Sequence, residues 1–139
     1  MATHVREVMT DNPRTLPSSA PLSDAAREMR DADIGSVIVM EGGSICGIVT
    51  DRDIVVRAIA RGMNPLETPL SAVCTREPAT VSPEQDVDDA VNLMRIRGIR
   101  RLPVEEDGRP VGIVTMGDLA TEHDQKSVLG QISAHPVSR

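Results

Sequence analysis

The sequence predicts an α+β protein that contains two copies of one β-α-β-β-α unit. The main observation is an internal repeat: residues 47–53 read GIVTDRD and residues 112–118 read GIVTMGD, so the pattern Gly-Ile-Val-Thr-x-x-Asp occurs twice. The chain matches itself without gaps at an offset of 65 residues, from the pair Val8 and Val73 to the end of these motifs. An ungapped self-match of this length indicates a duplication.

The length of each copy predicts how the copies are arranged. A unit of about 50–60 residues buries only a small core on its own, so the two copies are expected to pack on each other about a pseudo-twofold axis. We expect the first repeat at residues 1–62, a linker at 63–69, the second repeat at 70–123 and a C-terminal tail at 124–139.

The first half of each copy reads as a lead-in, a short strand and a helix. The lead-ins, expected as one or two helical turns, lie at residues 3–9 and 70–74, and brief extended pieces follow at 14–16 and 79–81. An amphipathic helix comes next, because apolar residues recur at helical spacing. These residues are Leu22, Ala25, Ala26 and Met29 in the first copy, and Val87, Ala90, Val91 and Met94 in the second.

The second half of each copy reads as a β-hairpin and a helix. The dipeptides Gly-Gly (42–43) and Asp-Gly (107–108) separate two apolar runs. Such dipeptides suit tight hairpin turns, whose central positions often need a positive φ. Second helices are expected at residues 51–61 and 116–123, and Gly62 stands where glycine commonly ends a helix.

Composition limits the classes of function. The 139 residues are 40% apolar but include no Phe, Tyr or Trp, so aliphatic side chains and Met must form the core and grip any ligand ring. A net charge of −6 and the lack of aromatic residues argue against nucleic-acid binding. The sequence contains neither an apolar run of membrane-spanning length nor a recognisable signal peptide, so we expect a cytoplasmic protein and no membrane partner.

The Thr-x-x-Asp part of the motif has a structural interpretation that must be weighed against ligand binding. A Thr at the start of a helix followed by an acidic residue three positions later is close to a capping box. Because Asp is shorter than the usual Glu, we expect the reciprocal hydrogen bond to its carboxylate to be less favourable here. Capping and ligand binding can coexist at the Thr.

Catalytic and metal sites find little support. Cys46 and Cys74 take the positions of Val111 and Met9 in the duplicate, so both are expected to be buried apolar residues, although a disulfide between them stays open. No metal-ligand spacing links the cysteines with His4, His123 or His135. No Ser-His-Asp, Cys-His or phosphate-loop pattern is present, and we expect no enzyme activity and no metal.

The order of elements, with Gly-x-x-Thr-x-x-Asp closing each hairpin, resembles a tandem CBS domain pair (a Bateman module). It is also similar to the small stand-alone CBS-pair proteins of the hypoxic-response type. The resemblance covers residues 4–123. It implies a regulatory module that binds an adenosine-containing ligand, such as AMP, ADP, ATP, NAD(H) or S-adenosylmethionine, in clefts between the repeats. In this family the Asp accepts hydrogen bonds from the ribose hydroxyl groups. The Thr and backbone amides bind ribose or phosphate oxygens, and aliphatic side chains hold the base.

Matching positions carry the family's binding residues onto this chain. One cleft would combine Thr15, Ala20 and Ile34 with Arg100, Ile113, Thr115 and Asp118. The other would combine Thr80, Gln85 and Ile99 with Gly35, Ile48, Thr50 and Asp53. Arg100 is expected to contact phosphate. Since its counterpart in the first copy is Gly35, the two clefts should differ in ligand or occupancy.

The resemblance further implies a protein without a required cofactor that acts through an effector protein in trans. A homodimer is expected from the resemblance and from the apolar residues of the predicted helix 51–61, which are Ile54, Val55, Ala58 and Ile59. Two rival interpretations remain, a ligand-free dimeric scaffold for protein interactions and an enzyme acting on nucleotides.

Overall fold

The computed structural model describes residues 4–123, which form two compact units. The first-hairpin unit comprises residues 14–78, and the described part of the second-hairpin unit comprises residues 4–13 and 79–123. The lead-in of each copy therefore belongs to the same unit as the hairpin of the other copy. The repeat boundaries expected from the sequence are a different division of the chain and stay a prediction.

The predicted helices and hairpins occur in the expected order in both copies, and a short strand that was not predicted follows each lead-in. The strands are β1 (Thr10–Asp11), β2 (Thr15–Pro17), β3 (Ser36–Glu41), β4 (Ser44–Thr50), β5 (Thr75–Arg76), β6 (Arg101–Glu106) and β7 (Arg109–Thr115). The helices are α1 (Leu22–Ala32), α2 (residues 51–61), α3 (Val87–Arg97) and α4 (Met116–His123). The lead-ins form single 3-10 turns at Val5–Glu7 and Leu70–Ala72. The predicted α+β class is confirmed.

Each unit contains one small sheet. In the first-hairpin unit the strand order is β2-β3-β4-β5, with β2 parallel to β3 and the other neighbours antiparallel. In the second-hairpin unit the order is β1-β7-β6, and Val81 adds one parallel bridge to Val104.

The extended piece predicted at residues 79–81 is therefore shorter than its counterpart β2, and proline explains the difference. The Ile38 N–H donates to the Arg14 carbonyl over 2.9 Å in the first copy. Pro103 takes the position of Ile38 in the duplicate and has no N–H to donate, so the equivalent bond cannot form.

The glycine that begins each motif leaves room for a neighbouring strand. Gly47 pairs with Arg76 of β5, and Gly112 pairs with Asp11 of β1. A Cβ on Gly47 would lie 2.7 Å from the Thr75 carbonyl oxygen, and one on Gly112 would lie 2.9 Å from the Thr10 carbonyl oxygen. Both glycines are thus required by the strands that the lead-ins contribute.

Each unit has its own core of mainly aliphatic side chains. Buried residues of α1 pack on β3 and β4 in one core, and buried residues of α3 pack on β6 and β7 in the other. Leu70 of one lead-in belongs to the first core, and Val5 of the other lead-in belongs to the second. Ala26, predicted on the apolar face of α1, is exposed, so the buried stripe of that helix is narrower than expected.

Helix α2 departs from regular α-helical geometry. It starts with an α-helical turn (Asp51–Asp53), widens to π geometry (Ile54–Ala58) and closes with a 3-10 turn (Ile59–Arg61). Gly62 follows with a φ of 76°, which confirms the predicted glycine stop.

Candidate functional site

The first candidate site is the polar corner where β4 passes into α2. The Thr50 N–H donates to Asp53 Oδ2 over 2.9 Å, and the Asp53 N–H donates to Thr50 Oγ1 over 3.1 Å. The reciprocal bond, which the shorter Asp side chain was expected to make less favourable, is present, because the backbone turn brings the Asp53 carboxylate within direct reach of the Thr50 amide. The corner is a complete capping box.

The second corner, where β7 passes into α4, has the same bonds. The Thr115 N–H donates to Asp118 Oδ2 over 2.9 Å, and the Asp118 N–H donates to Thr115 Oγ1 over 3.1 Å. Thr115 is buried, and Asp118 is half-buried. The duplication therefore preserves hydrogen-bond geometry as well as residue type.

Each corner is closed by the residue that precedes the hairpin. The Asp51 N–H donates to the Gly35 carbonyl over 3.1 Å, and the Met116 N–H donates to the Arg100 carbonyl over 2.8 Å. The structure thus brings the backbone of Gly35 to the Thr50–Asp53 corner and the backbone of Arg100 to the Thr115 corner.

The other expected site residues have varied surroundings in their own units. In the first-hairpin unit Thr15 is exposed, Ile34 is half-buried, and Ala20 and Ile48 are buried. In the second-hairpin unit Thr80, Ile99 and Ile113 are half-buried, and Gln85 Oε1 accepts the Ser82 N–H over 2.8 Å. Their grouping into two ligand clefts stays a prediction.

Arg57 is a residue of the first corner that the sequence reasoning missed. Its Nε lies 3.7 Å from Asp53 Oδ1, and its Nη1 donates to the Val73 carbonyl over 3.3 Å. The Asp53 side chain is only 14% exposed, so this cation lies beside a largely covered carboxylate. The signal was available, because Asp and Arg four residues apart lie on one face of a helix.

The two cysteines are both free thiols in the first-hairpin unit. Cys74 is buried, as predicted, whereas Cys46 is only partly buried against the same core. Burial raises the pKa of both thiols. Within residues 4–123 no group of three or more His, Cys, Asp or Glu side chains is arranged to hold a metal ion.

An apolar groove of about 380 Å³ lies between α3 and α4 in the second-hairpin unit. It is lined by Val91, Met94, Arg95, Ile99, Met116, Leu119 and Ala120. On the first-hairpin unit, α2 buries Ile54 and Ala58 but exposes Val55, Val56 and Ile59. None of the helices in the described range is both long and apolar enough to cross a membrane.

Comparison with protein families decides what the duplicated unit is. The model of the CBS domain matches residues 5–59 and again residues 70–123. The chain belongs to the CBS-domain family. The two matches confirm the resemblance that the repeated motif carried, and they make this protein a CBS pair, a module of the regulatory type.

Individual relatives agree with this assignment. CBS domain-containing protein YhcV of Bacillus subtilis is 37% identical over 116 residues, which cover 84% of this chain and 82% of YhcV. Hypoxic response protein 1 of Mycobacterium tuberculosis is 29% identical over 133 residues, which cover 95% of this chain and 93% of that protein. The CBS pair of protein MJ0100, solved with 5′-methylthioadenosine and S-adenosyl-L-methionine, has a TM-score of 0.77 and 28% identity, covering 85% of this chain and 97% of that one.

Proposed function

We propose that this CBS pair is a sensor of an adenosine-containing ligand, with the ribose held at a Thr-x-x-Asp corner. The observation that carries the proposal is the duplicated corner, in which a half-buried Asp carboxylate accepts the backbone N–H of the Thr while the Asp N–H donates to the Thr hydroxyl. A carboxylate fixed in this way is a preorganised acceptor, so little side-chain entropy is lost when a ligand binds.

The chemistry of the corner suits a vicinal diol. A carboxylate offers about four lone-pair positions on its two oxygens. At Asp53 the backbone of Thr50 takes one position on Oδ2, and Oδ1 faces Arg57 at 3.7 Å without a short hydrogen bond. Positions therefore remain for the 2′- and 3′-hydroxyl groups of a ribose.

The class of ligand is supported by a relative. The CBS pair of MJ0100 was solved in complex with two adenosine derivatives, 5′-methylthioadenosine and S-adenosyl-L-methionine. For this chain we propose AMP, ADP, ATP, NAD(H) or S-adenosylmethionine as a regulatory ligand in the cytoplasm, without a catalytic step. The chain has no aromatic residue, so Ile and Val side chains would hold the adenine ring.

A thermal-shift screen with these five ligands tests the proposal. A ligand at about 100 times its dissociation constant should stabilise the protein by about 2.7 kcal/mol. Unfolding must be followed by circular dichroism or an external dye, because the chain has no Trp or Tyr. Absence of a shift with every ligand, together with a stable oligomer, would instead favour an interaction scaffold.

Asp53→Asn and Asp118→Asn identify the corner in use. The Asn oxygen can still accept the Thr amide, so the ligand-free melting temperature should change little, but the amide nitrogen cannot accept a ribose hydroxyl. We expect one or both variants to lose the ligand-induced shift. Asp107→Asn, in an exposed hairpin turn with a φ of 53°, is the matched control and should keep it.

We further propose that the module is a homodimer that uses the exposed face of α2. Val55, Val56 and Ile59 are 59%, 46% and 50% exposed, which makes an apolar face on one short helix. Ile59→Glu places a charge on this face and should yield a monomer in light scattering coupled to size exclusion. Leu66→Glu, at an exposed loop leucine, should leave the dimer intact, and a dimer that tolerates Ile59→Glu would contradict this assignment.

A further inference from the structure

Arg57 connects the candidate ligand corner to a second part of the first-hairpin unit. One end of its guanidinium faces Asp53 Oδ1, and the other end donates to the carbonyl of Val73. Val73 directly follows the 3-10 turn Leu70–Ala72 and is almost fully buried. A carbonyl just past a helical turn needs a partner from outside that turn, and Arg57 supplies one.

The irregular geometry of α2 coincides with this contact. Arg57 lies in the π segment Ile54–Ala58, where the Ile59 N–H is shared between the Ile54 and Val55 carbonyls. Short π segments inside helices occur frequently at functional sites. The corresponding position of the second copy, at the offset of 65, is Glu122, so the duplicate does not repeat this cation.

The contact to Val73 is one that an anion can outcompete. Its length of 3.3 Å is beyond the usual range for an N–H to oxygen bond, and its acceptor is neutral. Hydrogen bonds from Arg to phosphate are shorter and about twice as strong as neutral ones, and they are often bidentate. The Arg57 side chain is about half exposed and lies beside Asp53, so it is accessible from solvent next to the proposed ribose position.

We propose that Arg57 recognises the phosphate of an anionic adenosine ligand bound at Asp53 and, by leaving the Val73 carbonyl, loosens the segment from Leu70 to Arg76. This inference rests on the function proposed above. It adds a residue that recognises the ligand phosphate and a segment whose loosening transmits the binding signal. A neutral adenosine supplies hydroxyl groups for Asp53 but nothing that attracts Arg57, so it should bind without loosening the segment.

Cys74 provides a native reporter of this change. It follows Val73 and is 8% exposed, so an alkylating reagent reaches its thiol only when the segment opens. Burial raises the pKa of the Cys74 thiol, and the positive charge of Arg57 partly lowers it. Loss of the Arg57 charge by itself would decrease the thiolate fraction, so a faster reaction reports relief of burial, through access of water and reagent to the thiol.

The test measures alkylation of Cys74 by iodoacetamide at pH 8, read by intact mass, in a Cys46→Ser background where Cys74 is the sole thiol. AMP should accelerate alkylation about tenfold, and adenosine should not. Arg57→Gln should react rapidly without ligand and should not respond to AMP. Arg61→Gln, an exposed arginine at the end of the same helix, is the matched control and should behave like the parent protein.

Calorimetric binding of AMP and adenosine to the same proteins separates the outcomes. AMP binding with an unchanged Cys74 rate would overturn this inference and leave the proposed function standing. Absence of binding by both compounds would overturn this inference, and the proposed function would then depend on the other ligands of the screen. Amide hydrogen exchange of residues 70–76 in the unmodified protein is a second measurement that needs no cysteine variant, and protection there should fall with AMP and not with adenosine.

Discussion

Leu70→Ala is expected to destabilise the protein by about 2–5 kcal/mol, the usual loss for a fully buried leucine. Leu70 lies in the lead-in of the second copy, yet its side chain is completely buried in the core of the first-hairpin unit. The loss should therefore be greatest in that unit. Denaturant unfolding followed by circular dichroism gives the size of the effect.

Amide hydrogen exchange shows where the effect of Leu70→Ala falls. Protection should decrease more in β3 and β4, which belong to the first copy, than in β6 and β7. Leu66→Ala, at a leucine that is 69% exposed, should change neither the free energy of unfolding nor the amide protection. A larger loss of protection in β6 and β7 would mean that the lead-in packs with its own copy and would contradict the division into units described above.

Gly47→Ala is expected to cost about 1–3 kcal/mol, the typical penalty for forcing extra volume into a packed site. The new Cβ would lie 2.7 Å from the Thr75 carbonyl oxygen and 2.9 Å from Cys74 Sγ, so β4 and β5 must separate. The melting temperature should fall by several degrees.

Gly117→Ala is the control for this substitution. Its new Cβ would meet nothing closer than 3.6 Å, and alanine is the better helix former, so stability should hold or rise. A Gly47→Ala protein as stable as the parent would show that the close approach of β5 to β4 is not needed for stability.

Much of the fold could be predicted because the same sequence pattern occurs in both copies. A turn dipeptide or a helical period is a weak signal alone, but the same signals at a constant offset support each other. Both hairpins and the buried faces of α1 and α3 were predicted in this way, whereas the helix stop at Gly62 was predicted from a glycine that the second copy does not repeat. These features depend on local sequence, which a duplicated pattern reports well.

The pairing of the lead-ins could not be predicted, because it depends on contacts distant in sequence. Thr10 pairs with Ile113, and Thr75 pairs with Ile48, through backbone hydrogen bonds that leave no pattern in residue type. The one trace in the sequence is the glycine that begins each motif, whose lack of a Cβ lets a neighbouring strand approach closely. The extended piece at residues 79–81 is shorter than predicted, because Pro103 lacks the N–H that its counterpart Ile38 donates.

The role of the candidate site residues in ligand binding stays a prediction, and the structure adds electrostatic detail that the sequence did not indicate. Thr50, Asp53, Thr115 and Asp118 occupy the expected corners, but the completeness of both capping boxes was unexpected. Arg57 occurs in one copy alone, so the repeat carries no signal for it. The differences between the two corners therefore include two positions. The first has Gly35 and Arg57, where the second copy has Arg100 and Glu122.

The most direct test of the central claim is a calorimetric titration with the nucleotide that gives the largest thermal shift and with its 2′-deoxy counterpart. If an Asp of the corner accepts the ribose diol, removal of one hydroxyl should weaken binding about 10- to 100-fold, because hydrogen bonds to charged groups contribute about 1.5–3 kcal/mol. The variant that lost its thermal shift, Asp53→Asn or Asp118→Asn, should no longer distinguish the two nucleotides. Equal affinity of the parent protein for both nucleotides would contradict ribose recognition at these corners.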